Sequence, residues 1–246
     1  MFFKTDNISI YYEKYGDRKQ TILILPGWGN TRNSFYDLID HLKDNYTIYI
    51  FDYPGFGNSP LPNKELTIYD YAEIIYKFII NEKINPIIIA HSFGGRITSI
   101  LIGKYQLKIS KLILIDVAGL KHFKLKVFLK QKLYKLLKLL PVKNRHSYHK
   151  KLLKLFASSD YQTIPNIMRK TFTNIINEDL KKYYKLITTE TLIIWGEKDN
   201  DTPLKDAYYL RKKLVNSALI IYKNSNHFSY LDYPYLTISI INSFLN

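Results

Sequence analysis

A serine stands among small residues where a predicted strand gives way to a predicted helix. The hexapeptide Ala90-His91-Ser92-Phe93-Gly94-Gly95 follows an apolar run and precedes a segment with helical spacing. It is a relaxed form of G-x-S-x-G, in which small residues let the backbone turn sharply and leave the serine Oγ exposed. Because serine beside glycine is also common in ordinary turns, other parts of the chain must supply the groups that a nucleophilic serine needs.

Two later loops carry an acid and a histidine of the required kind. A serine hydroxyl attacks a carbonyl only with the help of a base, and the base needs a carboxylate that orients it. Asp199 follows one predicted strand and His227 follows the next. Because the carboxyl ends of strands in open α/β sheets meet at the edge that carries ligands, we expect Ser92, Asp199 and His227 to meet there.

Other titratable residues compete for these roles. Asp201 is an alternative acid, but it suits the N-cap of the following helix, and the loop spacing favours Asp199. His91 is adjacent to the serine, and adjacent residues on a tight turn point apart, so we predict that its side chain packs below the turn. Asp52 and Asp116 also end strands, and we predict structural roles for both.

The elements that must position these residues alternate between strands and helices. Such alternation predicts βαβ units, an α/β fold and a mostly parallel twisted sheet flanked by helices. The strands are predicted over 8–12, 21–25, 47–51, 86–90, 111–116, 191–195 and 218–222, and helices over 67–81, 93–105, 203–214 and 234–245. Between these parts, residues 120–185 are predicted to form an all-helical cap insertion, which divides a core made of residues 1–119 and 186–246.

The charge of the chain is concentrated in that insertion. The 246 residues carry a formal net charge of +15, and Lys121 to Lys154 contains twelve lysines and arginines and no acid. Charge in one block does not favour a nucleic-acid partner. Residues 121–140 form a cationic amphipathic helix pattern with leucines on one face. The pattern fits a cap helix with solvated lysines, and it also fits attraction to an anionic membrane surface or acyl substrate.

Composition narrows the chemistry further. The chain has no cysteine, which excludes disulfides, thiolate metal sites and a cysteine nucleophile. It has no P-loop lysine after its glycines, so a nucleotide site is not expected. Neither a cofactor nor a metal is expected. With neither a long apolar run nor a leader-like amino terminus, a cytoplasmic location is expected.

Several motifs together give a family resemblance. They are Leu25-Pro26-Gly27-Trp28-Gly29, the D-x-x-G-x-G-x-S segment from Asp52 to Ser59, and the G-x-x-D-x-x-x-P loop of Gly196, Asp199 and Pro203. The whole chain resembles the α/β-hydrolase-fold family, in the branch of capped serine esterases and carbon–carbon hydrolases. Pro26 replaces the family's usual histidine, and Ala90 replaces the first elbow glycine.

The resemblance implies a role for each matching residue. Ser92 would be the nucleophile, His227 the general base and then acid, and Asp199 the group that holds the imidazole tautomer. The backbone N–H groups of Trp28 and Phe93 would form the oxyanion hole.

The predicted function is hydrolysis of a carboxylic ester or thioester through an acyl-serine intermediate. Cleavage of a carbon–carbon bond in ring-cleavage products and lysophospholipid hydrolysis are alternatives, as is a ligand- or membrane-binding module without activity. A serine at position 92 argues against reactions that use an aspartate nucleophile. The predicted substrate-binding residues are four side chains of the cap, Phe123, Phe128, Phe156 and Met168.

Overall fold

An eight-stranded sheet forms the centre of the protein. The structure is a computed structural model, and it describes residues 1–5, 8–121, 132–133, 136–137, 147–148, 151 and 164–246. The strands are β1 (Phe2–Lys4), β2 (Ser9–Tyr15), β3 (Thr21–Leu25), β4 (Thr47–Asp52), β5 (Ile87–His91), β6 (Leu112–Ile115), β7 (Thr191–Gly196) and β8 (Ser217–Tyr222).

The sheet order brings the ends of distant strands together. The order is β1-β2-β4-β3-β5-β6-β7-β8. The pairs β1–β2 and β2–β4 are antiparallel, and every pair from β4 to β8 is parallel. The carboxyl ends of β3, β5, β6, β7 and β8 therefore lie along one edge, as the alternating pattern predicts. The predicted α/β fold class is confirmed.

Helices cover both faces of the sheet. A short 3₁₀ turn, Arg32–Phe35, precedes the first helix. Within the described residues the helices are α1 (Tyr36–Leu42), α2 (Ile68–Glu82), α3 (Phe93–Gly103), α4 (Asn166–Asn177), α5 (Lys181–Tyr184), α6 (Lys205–Lys213), α7 (Ser229–Asp232) and α8 (Pro234–Leu245). No helix in this part of the chain is long and apolar enough to cross a membrane.

The core lies in two layers, one on each face of the sheet. Strand β3 shows the reason, because alternate side chains of a strand point to opposite faces. Its Leu23 and Leu25 join the cluster that contains α2 and α3, whereas Ile22 and Ile24 join the cluster that contains α1. All four are fully buried, which fits the continuous apolar sequence of a central parallel strand.

Some elements differ from the sequence prediction. Strand β1 and helix α1 were not among the predicted elements, and β2 extends to Tyr15 rather than Tyr12. A three-residue strand is too short to show alternation, and its pairing with β2 is a contact that no local pattern reports. In β2, Glu13, Lys14 and Tyr15 continue the strand beyond Tyr12 because they pair with β4, and their polar sequence does not show this pairing.

The described part of the insertion is helical or in turns. Helices α4 and α5 fall within 120–185, and no strand occurs among its described residues. Most of the predicted amphipathic helix 121–140 lies outside the described residues, as do Phe123, Phe128 and Phe156. The division into a core and a cap stays a prediction.

Candidate active site

Ser92 occupies a sharp turn between β5 and α3. Its φ of 48° and ψ of −108° place it outside the helical and extended regions. Its N–H donates to the carbonyl of Ile115 at 3.1 Å, and its own carbonyl accepts from Gly95 and Ala118, both at 3.0 Å. A residue with positive φ costs energy and persists because its surroundings fix it. Here three main-chain hydrogen bonds from two neighbouring segments fix it.

Small residues let the turn sit close to the end of β3. A Cβ atom added at Gly94 would lie 2.0 Å from the carbonyl oxygen of Leu25. Only glycine therefore allows the first turn of α3 to approach the loop that follows β3. Ala90, which replaces the first glycine of the strict pattern, is fully buried in the core, where its methyl group packs with other apolar side chains.

The three residues predicted from the sequence meet at this turn. Ser92 Oγ lies 2.8 Å from His227 Nε2, and His227 Nδ1 lies 2.8 Å from Asp199 Oδ2. An ionised carboxylate only accepts hydrogen bonds, so Nδ1 carries the proton of the neutral ring. Nε2 is then free to accept the hydrogen bond of the serine hydroxyl. Residues 92, 199 and 227 follow the ends of β5, β7 and β8.

Asp199, rather than Asp201, faces the histidine. Asp199 Oδ1 accepts from the main-chain N–H groups of Asp201 at 2.8 Å and Thr202 at 2.9 Å, and Thr202 Oγ1 donates to Oδ2 at 2.5 Å. Asp201 is solvent exposed. Burial raises the pKa of Asp199. The hydrogen bond and the charge of His227, together with two hydrogen bonds from Thr202, lower it by more, so the pKa of Asp199 lies below its usual value.

The same pair changes the acidity of the histidine. Burial lowers the pKa of His227, but the hydrogen bond and the charge of Asp199 outweigh this effect and raise the pKa above its ordinary value. A raised pKa makes the ring a stronger proton acceptor. An imidazole in this state is suited to removing a proton from Ser92.

Two main-chain N–H groups near Ser92 have no acceptor among the described residues. They belong to Trp28, in the loop after β3, and Phe93, the first residue of α3. The N-terminus of a helix favours negative charge, because its first N–H groups are unpaired and its dipole is positive there. The indole of Trp28 packs against the ring of Phe93, with centroids 5.3 Å apart, which holds the two segments together.

Ser92 opens into a cavity of about 640 Å³. Its wall combines aromatic and aliphatic side chains with polar and charged ones. The lining residues are Gly27, Trp28, Gly29, Asn30, Phe56, His91, Ser92, Phe93, Arg96, Ala118, Ile164, Phe172, Ile175, Ile176, Asp201, Thr202, His227 and Phe228. A concave wall in which apolar side chains surround convergent polar groups is typical of a small-molecule site.

The predicted substrate-binding residues are only partly placed. Met168 lies on α4 but does not line the cavity. Its side chain is fully buried against Gly55, where an added Cβ would lie 2.7 Å from the Met168 sulfur. The face of α4 that reaches the cavity carries Phe172, Ile175 and Ile176 instead. The predicted pocket role of Met168 is therefore not supported, because α4 turns this side chain away from the cavity.

A buried carboxylate at the end of β6 ties the acid loop to the histidine loop. Asp116 Oδ1 accepts from Gly196 N at 2.7 Å, and Oδ2 accepts from Ser229 N at 3.1 Å and Ser229 Oγ at 2.5 Å. Gly196 precedes the loop of Asp199, and Ser229 follows His227 by two residues. The predicted structural role of Asp116 fits these contacts, but its two partner loops could not be read from its position at a strand end.

The fold and the position of the site define an α/β hydrolase. The family described as alpha/beta hydrolase fold matches residues 20–141. The chain belongs to this family, and it is an enzyme of the esterase/lipase type.

Similar proteins cover nearly the whole chain. A protein named putative esterase/lipase 2 of Mycoplasma genitalium is 28% identical over 87% of this chain and 84% of its own length. The pimeloyl-[acyl-carrier protein] methyl ester esterase of Wigglesworthia glossinidia brevipalpis is 25% identical over 96% of this chain and 97% of its own. The solved structure of an esterase from Exiguobacterium antarcticum superposes with a TM-score of 0.76 at 22% identity, covering 99% of this chain and 98% of that one.

Proposed function

We propose that the protein hydrolyses a carboxylic ester or thioester through an acyl intermediate on Ser92. The observation that carries this proposal is the unbroken series of hydrogen bonds from Ser92 Oγ through the His227 ring to Asp199, with both distances at 2.8 Å. In this proposal Ser92 is the nucleophile, His227 the base and Asp199 the group that fixes the tautomer of the ring.

In the first half of the reaction, Ser92 Oγ attacks the carbonyl carbon while its proton passes to His227 Nε2. The carbonyl oxygen becomes an oxyanion that accepts hydrogen bonds from the N–H groups of Trp28 and Phe93. Loss of one such donor typically costs about 3–4 kcal/mol of transition-state stabilisation. His227 then gives its proton to the leaving alcohol or thiol, the bond to that group breaks, and an acyl ester of Ser92 remains.

In the second half, water takes the place of the leaving group. His227 Nε2 removes a proton from the water, whose oxygen attacks the acyl carbon to give a second oxyanion. When this intermediate collapses, the proton returns from His227 to Ser92 Oγ, and the carboxylic acid leaves. Asp199 stabilises the imidazolium that forms in each half. The esterase and esterase/lipase names of the relatives support an acyl substrate.

A lipid substrate is a second candidate, favoured by the basic segment 121–154. In its described part, Leu133 and Leu136 are 47% and 63% exposed. Exposed leucines among lysines suit the surface of an anionic membrane, where each lysine contributes about 1 kcal/mol. We propose this surface as a partner of the segment. Co-sedimentation with vesicles containing phosphatidylserine, lost in 0.5 M salt (on the order of a 4 Å screening length) and absent with phosphatidylcholine vesicles, would support it.

The proposed chemistry is tested by covalent labelling and ester turnover together. Wild type, Ser92→Ala and the exposed control Ser110→Ala are treated with a fluorophosphonate and with p-nitrophenyl esters of graded acyl length. We expect labelling and turnover in wild type and Ser110→Ala and neither in Ser92→Ala. Labelling that persists in folded Ser92→Ala overturns the proposal. If folded wild type neither labels nor turns over any ester, carbon–carbon substrates are tested next.

A further inference from the structure

A cationic side chain lies in the same cavity as Ser92. Arg96 is four residues after Ser92 on α3, and both residues line the cavity. Ser92 immediately precedes α3, and Arg96 is the fourth residue of that helix. The guanidinium of Arg96 therefore adds a positive charge to the wall of the cavity that holds Ser92, on a helix that packs in the core.

No carboxylate neutralises this charge in the described part of the chain. Arg96 Nη1 donates to the main-chain oxygens of Ile175 at 2.9 Å and Glu178 at 3.2 Å, and Arg96 forms no ion pair with a described residue. The carboxylates of Glu178 and Asp179 act on its pKa only from a distance. Glu178 Oε1 instead accepts from Tyr69, and Asp179 Oδ1 accepts from main-chain N–H groups.

The donors of the guanidinium are only partly used. A guanidinium has five N–H groups in a planar fork, and Arg96 bonds its described partners through Nη1 alone. Burial lowers the pKa of Arg96, but arginine stays charged in proteins. Arg96 is partly buried, and a partly desolvated charge with only neutral partners is costly, so an anionic ligand relieves that cost. A carboxylate fits the fork through two parallel hydrogen bonds.

The rest of the cavity wall agrees with such a ligand. Trp28, Phe172, Ile175 and Ile176 supply an apolar surface suited to methylene groups. The acidic side chain of the wall, Asp201, is solvent exposed, so water screens its repulsion of a bound anion.

We infer that the substrate is a monoester or monothioester of a short dicarboxylic acid, whose free carboxylate binds Arg96 while its ester carbonyl lies at Ser92. This inference rests on the proposed function and adds the chemical class of the acyl group. It assigns Arg96 a role in substrate binding beyond its contact with the end of α4.

The competing explanation is that Arg96 only clips the carboxyl end of α4 to α3. A clip stabilises the cavity for every substrate alike, so its loss lowers the hydrolysis of neutral and anionic esters by the same factor. A carboxylate subsite changes the ratio between the two. The ratio of kcat/KM values for a matched pair of esters therefore separates the explanations.

The matched pair is monomethyl glutarate and methyl 5-oxohexanoate, in which an uncharged methyl ketone replaces the carboxylate. Succinate and adipate monomethyl esters extend the length series. We expect wild type to favour the best carboxylate ester by about 10- to 100-fold, as for hydrogen bonds to a charged group. Arg96→Gln should lose this preference through a higher KM for the carboxylate ester, in addition to any loss that it shows equally on both esters. Arg96→Lys should retain part of the preference, and the exposed control Arg211→Gln all of it.

An equal loss on both esters in Arg96→Gln overturns the inference, as does a wild type that shows no preference at any length. The proposed function is tested separately, because wild type must still hydrolyse p-nitrophenyl esters in a Ser92-dependent way. A measurement on wild type alone covers the case in which Arg96→Gln does not fold. Glutarate should inhibit p-nitrophenyl acetate hydrolysis competitively and at least tenfold more strongly than uncharged glutaramide, and equal inhibition by the two compounds overturns the inference.

Discussion

His91 Nε2 lies 2.8 Å from the main-chain carbonyl oxygen of His227. A carbonyl only accepts hydrogen bonds, so Nε2 carries the proton and donates it. Burial, followed by the charge of His227, lowers the pKa of His91 to about 3, so its ring is neutral at ordinary pH. His91, the residue before Ser92, thus holds the main chain of His227, whose ring contacts the Ser92 hydroxyl. This hydrogen bond links the end of β5 to the loop after β8, 136 positions further along the chain.

His91→Leu should lower kcat for ester hydrolysis by about 10- to 100-fold, because a small displacement of a reacting group costs about this much. It should also lower the free energy of unfolding by about 1–3 kcal/mol, since the buried carbonyl of His227 loses its donor. His91→Gln keeps an N–H donor and should recover part of kcat. Steady-state kinetics and urea denaturation of the two variants measure both effects. A kcat equal to that of wild type in folded His91→Leu contradicts this positioning role.

The sequence predicts most of this site because its patterns are local. The apolar run 21–25 coincides with β3, and residues 92, 199 and 227 each follow an apolar strand that is plain in the sequence. Parallel strands then bring the three loops to one edge without further information. The choice of Asp199 over Asp201 also follows from loop spacing, and the structure places Asp199 against the histidine.

Contacts to main-chain atoms are the part that sequence patterns miss. His91 and Arg96 both bond to carbonyl oxygens of distant segments, and any residue type can supply a carbonyl. Their partners follow from the packing of whole elements. Met168 shows the same limit, because residue type indicates an apolar contact but not which side of α4 faces the cavity.

The raised pKa of His227 sets the pH dependence of hydrolysis. The attack needs a neutral imidazole, so kcat/KM should rise with pH through the pKa of His227 in the free enzyme, with a midpoint above about 6.5. Asp199→Asn removes the two largest causes that raise this pKa, the hydrogen bond and the charge of Asp199, and leaves burial, so its midpoint should shift to lower pH. Its kcat should fall by about 10⁴, since the ring loses the tautomer that Asp199 fixes. Asp201→Asn should shift the midpoint only slightly.

A pH–rate profile of the three proteins with one p-nitrophenyl ester measures these shifts. A wild-type midpoint below pH 6, well under the ordinary histidine value of about 6.5, would contradict the expected direction. A larger loss of kcat in Asp201→Asn than in Asp199→Asn would reverse the assignment of the acid.

Asp116 makes stability depend on pH. Burial raises its pKa to about 7, although the hydrogen bonds from Ser229 and Gly196 oppose that rise. Because this folded value lies above the unfolded value of about 3.9, protonation of Asp116 stabilises the folded protein. This stabilisation is complete below the unfolded pKa and is lost as pH rises through about 7. The free energy of unfolding of wild type should therefore fall between pH 5 and 8, and that of Asp116→Asn should fall less. The scale of the effect is about 1.4 kcal/mol per unit of pKa shift.

Urea denaturation of both proteins across this range checks the slope. At low pH, Asp116→Asn should be less stable than wild type by about 1–3 kcal/mol, because the hydroxyl oxygen of the protonated carboxyl group can still accept a hydrogen bond, whereas an amide nitrogen can only donate. Ser229→Ala removes one of the three donors and should cost about 1 kcal/mol. It should also raise the pKa of Asp116 further, which extends the loss of stability to higher pH. Parallel profiles for wild type and Asp116→Asn would show that Asp116 does not titrate in this range.

A buried ion pair holds the loop that carries Trp28. Asp52 ends β4 and is fully buried, and its Oδ2 lies 2.8 Å from Arg32 Nη1. Arg32 begins the 3₁₀ turn after the loop and also pairs with Glu13 at 2.7 Å. Oδ2 accepts a further hydrogen bond from Asn58 N at 2.9 Å. A buried charge that loses its partner is destabilising by about 3–5 kcal/mol, so Arg32→Met should lower stability strongly. Asp52→Asn should lower it less, because Arg32 keeps its contact with Glu13.

The double variant Arg32→Met/Asp52→Asn should be more stable than the sum of the single losses predicts, because it leaves no buried charge at position 52. A double-mutant cycle from urea denaturation gives the coupling energy, which should exceed about 1 kcal/mol. The matched control is the exposed pair of Lys77 and Glu73 on α2, 2.7 Å apart, whose coupling should be about 0.3–0.5 kcal/mol.

If the coupling of Arg32 with Asp52 were as small as this, Asn58 and the remaining polar contacts of Asp52 would suffice to hold the loop. In that case kcat of Arg32→Met should match wild type, whereas a loop held by the ion pair predicts a loss of kcat through a displaced Trp28 N–H.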